Sequence, residues 1–183
     1  MELQQVALVM GIVLFGSYVQ TVAGFAMGMI LVALIGGLRL LDIPTLAAMV
    51  SLLSGLNALV SLRGAVEHVH WRLLCWIALG QVPGIYAGFW LLNYLHEGHL
   101  WTLELILALF ITFGGMSMAI RPRTFAKVSG PVTASISGMA GGLSGGLFAA
   151  GGPVIGWFGY CQPLPLAVIR STLLSSFLLA TCT

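Results

Sequence analysis

The sequence predicts an all-α polytopic membrane protein of about six transmembrane spans, two of them broken by glycine, forming the first part of a two-repeat (4+4) arrangement. Three observations predict it. Only 7% of the 183 residues are charged and 59% are hydrophobic, with a mean hydropathy of +1.05, whereas soluble domains carry roughly 25% charged residues. So little charge cannot clothe a hydrated surface, which leaves lipid as the solvent. Two uncharged runs, residues 3–38 and 128–169, are too long for one straight helix across a hydrocarbon core of ~30 Å. Both contain clusters of glycine, Ala23-Gly24-Phe25-Ala26-Met27-Gly28 and Gly141 to Pro153. Irregular backbone at bilayer depth is tolerated only where it is buried in protein or lines a watery cavity.

The first run starts without a basic leader, so it reads as a retained membrane segment bending near Gln20–Gly28. Arg39 and Asp42 mark a polar turn before a clean span, Ile43–Leu62, with Pro44 in its first turn. Ser51, Ser54 and Asn57 fall on one face of that span. Helix–helix hydrogen bonding is the preferred reading of this stripe, ahead of contact with a substrate. Arg63, Glu67, His68, His70 and Arg72 form a charged loop. Leu73–Leu95 is the third span, kinked at Gln81-Val82-Pro83-Gly84 and flanked by Trp71, Trp76, Trp90 and Tyr94 as interface anchors. A turn at His96–His99 leads to a fourth span, Leu100–Ile120, and then to the basic loop Arg121, Arg123 and Lys127. Val128–Tyr160 carries the second glycine cluster. After Pro163 and Pro165 a sixth span carries Arg170, Ser171, Thr172 and Ser175 to the end at Thr183.

If each span crosses once, five basic residues (Arg63, Arg72, Arg121, Arg123, Lys127) share one face and Arg39 alone lies on the other. The positive-inside rule then makes the basic face, and the N-terminus with it, cytoplasmic in a cell (inner or plasma) membrane. An internal echo recurs at an offset of 121: Gly24 with Gly145, Pro44 with Pro165, Ser51 with Thr172, Ser54 with Ser175. The whole is read as one transporter domain, with repeat one at about 3–120 and repeat two at about 128–183. Counting spans gives the two halves one orientation, and the sequence is expected to lack two final helices.

Broken spans at corresponding places in two halves point to a transporter's substrate site. A half-helix N-terminus offers free N–H groups and partial positive charge, which suits an anion. Arg170, about two turns into its span, could add a planar cationic fork, or could snorkel to the interface. The candidate substrate-binding residues are Gly24 and Gly28 in the first break, Gly145, Gly151, Gly152 and Pro153 in the second, and Arg170 and Thr172 beyond it. No metal site or cofactor is implied: His68 and His70 stand alone, and Cys75, Cys161 and Cys182 have no ligand spacing. No nucleophile–base pair or paired carboxylate lies at bilayer depth, which argues against an enzyme. A net charge of +2 offers nothing to nucleic acid. The expected partners are a small anionic solute and the lipid bilayer, and homo-oligomerisation stays open. The rival is a non-transporting scaffold or assembly subunit whose glycines serve close helix packing.

Ala23-Gly24-Phe25-Ala26-Met27-Gly28, with Ser144-Gly145-Gly146-Leu147-Phe148-Ala149-Ala150-Gly151-Gly152-Pro153, Pro165 and Arg170-Ser171-Thr172, resembles the sulfite exporter TauE/SafE family. Ala26, Ala149 and Met29 stand where members of that family often have glycine. The resemblance implies a membrane transporter of small anions, typically sulfite, sulfonates or related organosulfur compounds.

Overall fold

The computed structural model describes residues 3–38, 43–98, 100–119 and 124–182. Arg39, Asp42, His99, Arg121 and Arg123 lie outside the described residues. Among the described residues the chain is all-helical and has no strand: α1 (Leu3–Ala23), α2 (Met27–Leu31, running on as a π-turn Val32–Gly36), α3 (Ile43–Ser61), a 3-10 turn (Val66–His68), α4 (Trp71–Gly98), α5 (Leu100–Ala119), α6 (Pro131–Phe148), α7 (Gly152–Tyr160) and α8 (Leu166–Thr181). α4 continues through Pro83 and reaches Gly98, and α5 starts at Leu100, so residues 96–98 of the expected turn are helical. Trp71–Leu95 is long and apolar enough to cross a bilayer, and Ala7–Ala23, Thr45–Ser61, Trp101–Met116 and Leu166–Thr181 are shorter apolar helices. Large apolar side chains such as Leu14, Phe15, Trp90, Trp101 and Phe113 point outwards, as they would towards lipid.

Both long uncharged runs reverse direction at three-residue breaks. Gly24 (φ 79°) follows the end of α1, Ala26 (φ 96°) precedes α2, and Ala149 (φ 53°) ends α6. This left-handed backbone costs an L-residue roughly 1–2 kcal/mol, so a helix entering it stops. α2 then lies back along α1: a Cβ placed on Gly16 would stand 3.4 Å from Met27 Cγ and 2.7 Å from Leu31 Cδ1. α7 returns along α6 in the same way, with Ile155 against Gly141. The Phe125 N–H donates to the Cys161 carbonyl (2.7 Å), and the Ser129 N–H donates to Gln162 Oε1 (2.8 Å).

These fold-backs alter the path drawn from counting spans. α1 carries Ala23 and Gly24 to the end that holds Leu73, Tyr160 and Ile169, while residues 27–35 pack with Leu46, Leu95 and Leu103 at the other. The N-terminal part of α1 (Val9, Ile12) joins that second cluster. The start of α1 and the end of the π-turn therefore share one end, and Arg63, Arg72, Lys127 and the 161–165 turn share the opposite, basic end. The expectation of one crossing per run, with the N-terminus beside the basic loops, does not describe this path, because each break reverses the chain. The expectation of two halves in one orientation would set α3 and α8 parallel. α8 runs antiparallel to α3, with Thr181 beside Gly55 and Leu174 beside Ala58 and Leu62.

α4 and α6 run parallel, locked by two glycine series at four-residue spacing. Gly80, Gly84 and Gly88 face the carbonyls of Ser135, Met139 and Leu143, and Gly138, Gly142 and Gly146 face those of Ile77, Gln81 and Ile85. Backbones this close gain dispersion and weak Cα–H···O contacts without any side chain between them. This interlock fixes α4, and with it the helical face that carries Gln81, against the second break.

Candidate functional site

The two breaks meet. A Cβ on Gly156 would stand 2.9–3.0 Å from the Phe25 ring, one on Gly152 3.4 Å from Ala26 N, and one on Gly28 2.7 Å from the Ala149 carbonyl oxygen and 3.2 Å from Ala150 Cα. Residues 25 to 28 thus pair with residues 156 to 149, in opposite directions. Beside this junction lies a cavity of about 440 Å³. Its lining is mostly apolar and includes Phe25, Met29, Phe89 and Phe177, together with the polar Gln20, Ser51, Ser54 and Gln81 and residues 149–152 of the second break.

Of the candidate residues, Gly28, Gly145, Gly151 and Gly152 line this cavity, and Gly24, Pro153, Arg170 and Thr172 stand outside its lining. The second break falls one turn after Gly145, which remains in α6 and accepts the Ala149 N–H (2.7 Å). Gly24 makes the left-handed turn of the first break outside the cavity lining, close to Arg170: a Cβ there would meet Arg170 Cγ at 3.1 Å and Cα at 3.2 Å. Pro153 is buried in the first turn of α7 beside Gly114. Thr172 is a bracket, its Oγ1 accepting the His70 N–H (3.0 Å) and donating to the Val168 carbonyl (2.7 Å).

The serine stripe of α3 divides. Asn57 is inter-helix glue, donating to the Ser17 carbonyl (3.1 Å) and accepting from Thr21 (3.2 Å). Ser51 and Ser54, by contrast, line the cavity. Gln20 and Gln81, not singled out by sequence, are 2% and 3% exposed and belong to the same lining. A buried amide in an otherwise apolar helix was the available signal, since such a group must find a partner or face polar space.

Chemically the junction offers donors. The N–H groups of Phe25 and Ala26, and of Ala150 and Gly151, make no hydrogen bond among the described residues. Unpaired backbone N–H groups at a helix start attract negative charge. No group of three or more His, Cys, Asp or Glu that could hold a metal occurs among the described residues.

An all-helical body with an apolar outside and a cavity at two antiparallel helix breaks is the build of a membrane transport protein. The family model described as Sulfite exporter TauE/SafE matches residues 9–183, and the chain belongs to that family, one of exporters rather than enzymes. It is similar to the "Probable sulfite/organosulfonate exporter TauE" of Cupriavidus necator, at 38% identity over 162 residues, which is 88% of this chain and 63% of that protein. The chain thus spans about 63% of the length of the curated relative it matches. No solved structure matches it.

Proposed function

We propose that the chain transports a small anion, sulfite or an organosulfonate, across the cell membrane, and that the cavity at the two breaks is its substrate site. One observation carries this reading: two glycine-containing breaks converge beside a cavity whose lining includes Gln20, Ser51, Ser54 and Gln81, and four backbone N–H groups at the junction are unpaired among the described residues. In this reading the backbone of Gly28, Gly145, Gly151 and Gly152 lines the site, the missing side chains at 28, 151 and 152 let the breaks and their helices close on one another, Gly24 and Pro153 shape the breaks, and Arg170 and Thr172 hold them from outside. The domain is multi-pass, with repeat one at about 3–120 and repeat two from about 128, related by inversion as in many secondary transporters. The end bearing Arg63, Arg72 and Lys127 faces the cytoplasm, which puts the start of α1 on the outer side.

The packing-scaffold reading accounts for Gly80, Gly84, Gly88, Gly138 and Gly142, all of which interlock helices. It gives no reason for the cavity or for the buried amides in its lining. Flux of isotopically labelled sulfite and methanesulfonate into liposomes containing the purified protein separates the two. Uptake above that of empty liposomes, competed by unlabelled substrate, is expected. Uptake equal to empty liposomes for both solutes would sink the transport reading.

A further inference from the structure

The Gln81 side chain is the one feature of the cavity that packing does not explain. It is 3% exposed, yet its amide makes no hydrogen bond among the described residues. No fully buried side-chain nitrogen or oxygen among those residues lacks a partner. The little of Gln81 that is accessible is therefore its amide, and Gln81 belongs to the cavity lining. Its backbone cannot shift to relieve this. A Cβ on Gly142 would lie 3.0 Å from both Gln81 C and Cα, so the interlock of α4 with α6 pins the position. A buried amide left open costs about 1–3 kcal/mol, and four backbone N–H groups at the junction are open too.

We infer that Gln81 and the N–H groups of Ala150 and Gly151 form a charge-neutral oxyanion cradle that takes a singly charged oxyanion, hydrogensulfite or an organosulfonate, and rejects the corresponding dianion. The inference rests on the transport reading above and specifies the charge state of its substrate. The described lining offers amides, hydroxyls and backbone N–H groups, with no charged side chain. Tyr86 on α4 is its one titratable member, and α1, α2, α3, α6, α7 and α8 contribute none. Arg170 lies behind Gly24, outside the lining. Neutral donors can offset the desolvation of one charge, whereas the Born cost of a dianion is about four times larger, growing as the square of the charge. The apolar side chains of the lining, Phe25, Phe89 and Phe177 among them, suit the short hydrocarbon part of an organosulfonate.

The test is equilibrium binding to the purified protein in detergent, with methanesulfonate, sulfite and sulfate as probes across the pH range in which hydrogensulfite ionises. Methanesulfonate should bind with one affinity throughout, sulfite should weaken as pH rises and the dianion accumulates, and sulfate should not compete. Gln81→Met, of similar length and without a polar tip, should bind methanesulfonate about tenfold or more weaker, the loss expected for one hydrogen bond to a charged group. Sulfate binding as tightly as methanesulfonate, or a folded Gln81→Met variant with wild-type affinity, would overturn this inference and leave the transport reading standing. If that variant fails to fold, the wild-type sulfate and pH arms still decide. Wild-type protein that binds neither methanesulfonate nor sulfite would bring down both.

Discussion

Arg170 can act on an anion through its charge or on the first break through its stem, and the contacts favour the stem. The atoms nearest Gly24 are Arg170 Cγ and Cα, and the residue lies outside the cavity lining. Arg170→Ala should therefore weaken methanesulfonate binding through a loosened Gly24 turn, and Arg170→Met, which restores the stem, should recover most of the affinity. Arg170→Lys recovering it where Arg170→Met does not would return the role to the charge. The sequence pointed to Arg170 because an arginine in a span is costly, but depth along a helix does not tell which side of a break a side chain occupies. Gln81 shows the converse: an amide within an apolar helix is visible in the sequence, but the lack of a partner for it is seen only in the structure. Ala26 and Ala149 fall between these cases. Both stand where the resemblance implies glycine, and both hold positive φ, so the backbone keeps a left-handed turn there even though the residue that suits it best is absent.

At the scale of elements, the breaks were legible and the interlock was not singled out. Glycine and polar residues inside uncharged runs marked both breaks to within a turn, because little else interrupts a helix in lipid. The spacing Gly80-Gly84-Gly88 and Gly138-Gly142-Gly146 was equally visible, but only the structure pairs the two series, since either could have met lipid or another helix. The pairing makes a sharp prediction. Gly142→Val puts a branched side chain onto the Gln81 backbone and should part α4 from α6, lowering the thermal midpoint steeply and abolishing binding. Gly115→Ala, in α5 with nothing within 4 Å of an added Cβ, should be neutral or stabilise by up to about 1 kcal/mol through helix propensity. Thermal unfolding of both variants by tryptophan fluorescence measures this. Equal effects of the two substitutions would show that the interlock is not a principal source of stability.

Over the whole molecule, composition sufficed for the all-helical fold. Direction was the part that could not be read. A broken span that continues across and one that folds back have the same residues; the difference lies in two or three φ angles and in partners such as Cys161 and Gln162, which tie the end of α7 to residues 125–129. The two paths make opposite claims about Pro163. If the 128–160 run crossed once, Pro163 would face away from Lys127. With α7 returning along α6, the two share a face with Gly64, and Leu38 lies on the other. In a background lacking Cys75, Cys161 and Cys182, single cysteines at positions 64, 127 and 163 should react with a membrane-impermeant thiol reagent only from the cytoplasmic side, and one at position 38 only from outside. All four sites are exposed loop or turn positions outside the helices. Opposite labelling of positions 127 and 163 would restore the single crossing, and would also remove the inverted relation between the two breaks on which the cavity depends.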